Sequence, residues 1–116
     1  MNAEELKART KRFALQVIEL IDVLPNTGKG RVIANQLMRA ATSVGANYRA
    51  VCRGRSQAEF ISKLGVVIEE ADECCYWLEL IAESGMLPEE KVKDLYQEAD
   101  EITAIMVASR KSAQNA

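Results

Sequence analysis

The amino-acid sequence predicts an all-α protein, an antiparallel up-down-up-down bundle of four helices. Three observations predict it. Apolar residues recur at steps of three, four and seven in four separate segments, no stretch alternates with period two long enough for a strand, and the connections are short. One domain over residues 1–116 is expected, since a chain of this length buries one core and is too short for two ordinary domains.

The first helix is expected over about residues 3–24, on the stripe Leu6, Phe13, Val17, Leu20, Ile21 and Leu24. It stops at Pro25, and the segment Pro25-Asn26-Thr27-Gly28-Lys29-Gly30 reads as a connection. The second helix spans about 31–52, with Ile33, Leu37, Ala40, Ala41, Val44, Tyr48 and Val51 as its stripe. Ser43, Gly45, Ala46 and Ala50 are small enough to let a neighbouring helix come close. Ser56-Gln57-Ala58-Glu59 is a capping box, in which each of Ser56 and Glu59 satisfies a free backbone N–H of the first turn, so the third helix starts there. It runs over 57–84 on Phe60, Leu64, Val67, Ala71, Cys74, Leu78 and Ile81, and Gly85 is placed to end it in a left-handed cap. Pro88, Glu89 and Glu90 suit the start of a fourth helix over 88–110, with Val92, Leu95, Ala99, Ile102 and Met106 inward. The tail from Ser109 onward is expected to fray.

Charge is distributed unevenly. From Lys29 to Lys63 there are seven basic residues against one acid, whereas from Glu69 to Glu101 there are twelve acids against two lysines. In the predicted topology the start of the first helix, the turn between the second and third, and the end of the fourth share one pole. That pole gathers Lys7, Arg9, Lys11, Arg12, Arg49, Arg53, Arg55, Lys63, Arg110 and Lys111, offset by Glu4, Glu5 and Glu59. Glu19, Asp22, Glu79, Glu83, Glu89, Glu90 and Asp94 fall at the other pole and the waist. A basic pole on a net acidic chain can steer a polyanion by its local field, and each cation placed on a phosphate releases counterions. The plainer reading is a set of solvated helix-end charges, some of them favourable to their helix dipoles. The candidate nucleic-acid contacts are Arg49, Arg53, Arg55, Lys63, Lys11 and Arg12. Few aromatics lie among them, so contact with phosphate is expected rather than stacking on bases. Arg39 has a different assignment: a hairpin centred near residues 54 and 55 sets it level with Glu70, and a structural or interface ion pair with Glu70 or Glu73 is expected.

The chain has no histidine. That removes the usual general base at neutral pH, the commonest zinc ligand and the base of a Ser-His or Cys-His pair. Glu69, Glu70, Glu73 and Glu101 lack the Glu-x-x-His pairs of a di-iron bundle, and Gly28-Lys29-Gly30 lacks the spacing of a P-loop. No enzymatic activity, metal or cofactor is expected. Cys52, Cys74 and Cys75 form an odd set and are expected to be reduced, with packing roles for the adjacent pair. Tyr76, Trp77 and Tyr96 sit partly off the core stripes, as interface aromatics do. No apolar stretch approaches the length of a membrane span and the N-terminus does not read as a signal peptide, so a cytoplasmic protein is expected.

The stretch QLMRAATSVGANYRAVCRGRSQAEFISKLGVVIEEADECCYWLEL, residues 36–80, resembles the four-helix-bundle family of proteins encoded in 23S rRNA intervening sequences. The family pattern of Gln-Leu, Arg-Ala, Ser-Val, Ala-Asn, a basic linker and Ser-x-x-Glu-Phe falls on Gln36, Leu37, Arg39, Ala40, Ser43, Val44, Ala46, Asn47, Arg53, Arg55, Ser56, Glu59 and Phe60, with Leu64 following. The resemblance implies an antiparallel four-helix bundle that assembles as a homopentamer, has no known enzymatic activity and binds RNA or DNA. Related bundles serve as accessory proteins to reverse transcriptases in diversity-generating retroelements. Many members have Asn-Ile-Ala-Glu-Gly where this chain has Asn47-Tyr48-Arg49-Ala50-Val51, so an acid is lost and an arginine gained. Two functions are carried forward. One is an oligomeric nucleic-acid-binding or accessory protein, and the other is a protein-interaction scaffold whose basic surface serves subunit assembly.

Overall fold

A computed structural model describes all residues, Met1 to Ala116. It contains four helices and no strand: α1 (Ala3–Ile21), α2 (Gly28–Cys52), α3 (Gln57–Glu83) and α4 (Glu89–Gln114). They run antiparallel in sequence order as a rod of 46 × 20 × 19 Å. No helix is long and apolar enough to cross a membrane.

Three of the four helices begin at a side chain that accepts from a free N–H group of the first turn. Asn2 and Glu5 form a reciprocal capping box on α1, whereas only half of the box expected on α3 forms: Ser56 Oγ accepts from the Glu59 N–H at 3.1 Å, while the Glu59 carboxylate pairs with Lys63 instead of returning to the Ser56 N–H. Pro88 precedes α4 and contributes no side-chain cap, while Glu89 and Glu90 supply the acidic first turn. Gly85 follows α3 with φ of 79°, the left-handed conformation that favours glycine.

Three boundaries differ from the sequence expectation. α1 ends at Ile21 rather than near Leu24, but the chain stays in a tight turn: the Val23 and Leu24 N–H groups donate to Leu20 and Ile21, and Leu24 still packs against the core. α2 starts at Gly28, because Thr27 Oγ1 accepts from the Gly30 N–H at 3.1 Å and so caps a helix whose first turn contains both glycines. α4 does not fray at Ser109 and continues to Gln114. Its last turn is tethered to the start of α3, where Gln57 Nε2 donates to the Ala113 carbonyl.

The core is formed by the predicted stripes. Phe13 and Val17 of α1, Leu37 and Val44 of α2, Leu64, Leu78 and Ile81 of α3, and Val92, Ile102 and Met106 of α4 are essentially inaccessible. Each large side chain buried this way contributes about 1.5–3 kcal/mol relative to exposure. Ile33 and Phe60, placed on stripes by their spacing, are only half-buried near the helix ends. Packing is unequal around the bundle. α3 lies against both α2 and α4 along most of its length, α1 lies well against α2, and α1 meets α4 over a short stretch.

Thr10 is the one fully buried polar residue of the core, and its hydroxyl donates to the Leu6 carbonyl at 2.9 Å. It sits opposite Gly45, where a Cβ would lie 3.4 Å from Thr10 Oγ1. This is where α1 and α2 approach through small residues. The close approach fixes the floor of the groove described next.

Candidate nucleic-acid interface

The basic pole is where α1 begins, α2 turns into α3 and α4 ends. The structure divides its cations into groups with different partners. Lys7 and Lys11 of α1 and Arg49 of α2 line a groove of about 260 Å³ between the two helices. Thr10, Ala14, Thr42, Gly45 and Ala46 complete the lining. Neither Lys11 nor Arg49 belongs to any of the ion pairs of the molecule. Lys7 Nζ lies 3.1 Å from Glu4, an exposed pair of the i,i+3 kind that contributes little in water.

Arg53 and Arg55 are exposed at the α2–α3 turn. Arg53 Nε donates to the Arg49 carbonyl at 3.3 Å, so it helps close the end of α2, whose last carbonyls lack helical partners. Lys63 has a partner, with Nζ 2.7 Å from Glu59, and this interaction is what holds the Glu59 carboxyl below the usual carboxylate range. Arg12 points elsewhere. It lines a second groove with Gln16, Asp94, Leu95 and Glu98, between α1 and α4, where its neighbours include two acids.

Arg9 changes the charge balance of the pole. Its Nε and Nη2 each lie 2.7 Å from the Glu98 carboxylate, and Nη2 also reaches Glu101 at 3.0 Å. The hydrogen bond with Glu98 is the main reason that its guanidinium pKa is raised further. The pole is thus less positive than its arginine and lysine content implies, because α4 brings two carboxylates to it. Arg110 lies over Gly65 of α3, where a Cβ would stand 3.4 Å from its Nη1.

Arg39 lies at the waist. Its Nη1 is 2.9 Å from Glu70 Oε2 and its Nη2 bonds Glu73. The Glu73 carboxylate accepts from the Trp77 indole N–H at 3.0 Å, and that bond, followed by Arg39, lowers its pKa. The three aromatics do not form one exposed group. Tyr76 is more than half exposed, Trp77 is held half-buried by Glu73, and Tyr96 is half-buried with its hydroxyl donating to Glu79 at 3.1 Å.

A groove of about 400 Å³ lies between α3 and α4 around Leu78, Ala82, Val92 and Tyr96. Glu79, Glu83 and Glu89 on its wall repel a polyanion, so its size does not make it the candidate interface. No group of three His, Cys, Asp or Glu side chains converges as a metal ion would need. Cys74 and Cys75 are buried, and burial pushes both thiols up, Cys75 to about 11. Tyr48 is pushed up to about 12, chiefly by burial and then by its hydrogen bond with Cys52.

The family model of the 23S rRNA-intervening sequence protein matches residues 4–108, nearly the whole bundle. The chain belongs to this family. A crystal structure of a protein of unknown function from the S23 ribosomal protein family of Bacteroides thetaiotaomicron is 32% identical to this chain, with a TM-score of 0.85. The likeness covers 91% of this chain and 98% of that one. No curated protein matches.

Two features of the site were not foreseen from the sequence. The Arg9 clamp depends on how the first and last helices meet, which no short turn dictates. The gathering of Lys7, Lys11 and Arg49 on one groove depends on how α1 packs against α2, with Thr10 beside Gly45, and the four-residue step from Lys7 to Lys11 was its only local signal.

Proposed function

We propose that this family member is a non-enzymatic, cytoplasmic protein that self-associates and binds the phosphate backbone of RNA or DNA, alone or as an accessory to a nucleic-acid enzyme. One observation carries the reading: Lys11, Arg49 and Arg55 stand at one end of a net acidic chain with no carboxylate paired to them. Such a surface is stabilised by a bound polyanion, because each phosphate neutralises a cation and releases counterions. The family's name connects its members with 23S rRNA, and the absence of histidine supports a binding role over catalysis. Self-association, with five subunits as the resemblance implies, is supported by exposed apolar side chains such as Leu15, Val32 and Tyr76.

The triple variant Arg49→Glu/Arg53→Glu/Arg55→Glu tests the reading. It is expected to keep the helical circular dichroism of the parent while losing salt-dependent binding to RNA and DNA oligonucleotides. Unchanged binding eliminates the pole as the contact surface. The scaffold reading, in which the basic surface meets acids of another subunit, predicts instead that the same variant shows a lower mass in light scattering and has no nucleic-acid affinity to lose.

A further inference from the structure

We infer that the groove between α1 and α2 seats one phosphodiester of a nucleic-acid strand between Lys11 and Arg49, so that this groove, and not the α2–α3 turn, is the primary contact of the pole. The inference rests on the backbone-binding reading above and narrows it to one place.

The two cations come from different helices and line one groove whose floor is made of small side chains. Lys11, Arg49 and Arg55 are all exposed, but a groove wall concentrates the field of the charges that line it, and Arg55 is not among the residues that line this groove. The placement of Lys11 is not accounted for by helix electrostatics. Lys7 and Lys11 lie in the N-terminal half of α1, where the helix dipole offers a cation nothing, while Arg49 is in the last turn of α2. With nothing in the groove, Lys11 and Arg49 repel one another. A phosphate between them turns that repulsion into two charge-assisted hydrogen bonds.

The floor shows what kind of group fits. Gly45 and Ala46 leave the space open, and Gly45 lies beside Thr10 where α1 and α2 come close. Thr42 donates its hydroxyl proton to the Met38 carbonyl at 2.7 Å, as Thr10 does to Leu6. Neither hydroxyl has a proton left for the ligand. Recognition therefore comes from the charged side chains, which suits a phosphodiester and reads no base. Of the three cations that line the groove only Lys7 has an acid partner, Glu4, and that contact is exposed and easily given up.

The test uses the full chain and fluorescently labelled single-stranded RNA, with fluorescence anisotropy measured across a salt series. Lys11→Gln and Arg49→Gln are each expected to weaken binding about tenfold at low salt and to flatten the slope of log K against log salt by about 0.7. Ala46→Leu changes no charge at an exposed helical position and fills the groove, so it is expected to weaken binding comparably. Glu4→Gln, which frees Lys7, is expected to tighten it. Circular dichroism melting establishes that each variant is folded. If these variants bind as the parent does while Arg53→Gln/Arg55→Gln loses affinity, the groove is not the seat, and the wider reading survives. If the parent itself shows no salt-dependent binding, both fail.

Discussion

Two glycines of α2 do opposite jobs, and the difference lies in what a methyl group would meet. At Gly30 an added Cβ would fall 2.1 Å from the Pro25 carbonyl oxygen, a backbone atom that cannot move without opening the α1–α2 turn. At Gly45 the nearest atom is Thr10 Oγ1 at 3.4 Å, an ordinary contact. Gly30→Ala is therefore expected to destabilise the fold by about 2 kcal/mol, in the range of overpacking and backbone strain. Gly45→Ala is expected to be neutral or to stabilise it by up to about 1 kcal/mol, since alanine is the better helix former and the space exists. Urea unfolding of the two variants measures both. A more stable Gly30→Ala protein, or a Gly45→Ala protein destabilised by more than about 1 kcal/mol, would show that the α1–α2 approach has been misread. The glycines also show the limits of spacing and composition. Gly28-Lys29-Gly30 reads as a connection because glycine is a poor helix former, yet the hydroxyl of Thr27 overrides that preference and draws both glycines into the first turn of α2.

At the level of whole helices, the α1–α4 seam is the weak side of the bundle. α1 meets α4 over a short stretch, and the bridge from Arg9 to Glu98 and Glu101 is the polar tie across it. The Arg9 and Glu98 side chains are only 16% and 24% exposed, so truncating the arginine strands a carboxylate in a partly desolvated place. Arg9→Ala is expected to cost about 1–2 kcal/mol, with the loss much reduced when Glu98 is already alanine. A double-mutant cycle by thermal melting measures the coupling, and a coupling near zero would mean that the bridge is not what ties the seam. The same variant should speed amide hydrogen exchange in α1 more than in α3, which is flanked along its length by α2 and α4. The unequal legibility of the fold has the same origin. Four stripes at helical spacing, a serine N-cap at Ser56 and a left-handed glycine at Gly85 are local features, so the helices and their antiparallel order could be read from the chain. Contacts between the first and last helices have no such local signal. Arg9 consequently counts as a free cation when the sequence is read alone, although Glu98 and Glu101 hold it in the folded chain. Lys63 is a different case, because Glu59 stands four residues before it at ordinary helical pairing distance, and the spacing alone carried that information.

For the molecule as a whole, the ionisable groups set a stability window in pH whose two edges have different causes. On the acid side, Glu59, Glu73 and Glu101 have carboxyl pKa values lowered by folding: Glu59 by Lys63, Glu73 by the Trp77 N–H and then Arg39, and Glu101 by Gln97 and then Arg9. A carboxyl whose folded value is lower than its unfolded value of about 4.3 contributes stability that is complete above that value. The contribution is lost as pH falls through the folded value. On the alkaline side the sign reverses for Cys74 and Cys75, whose thiols are raised by burial. Their contribution is complete below an unfolded thiol value of about 8.5 and is lost as pH rises from there toward the folded value, about 11 for Cys75. The melting temperature is therefore expected to be flat between about pH 5 and pH 8, and to fall on both sides. Cys74→Ala/Cys75→Ala is expected to remove much of the alkaline fall while leaving the acid fall in place, because the two edges belong to different groups. Melting curves followed by circular dichroism across pH, for the parent and this variant, separate the edges. An alkaline fall of undiminished size in the variant would assign that edge to groups other than the buried thiols.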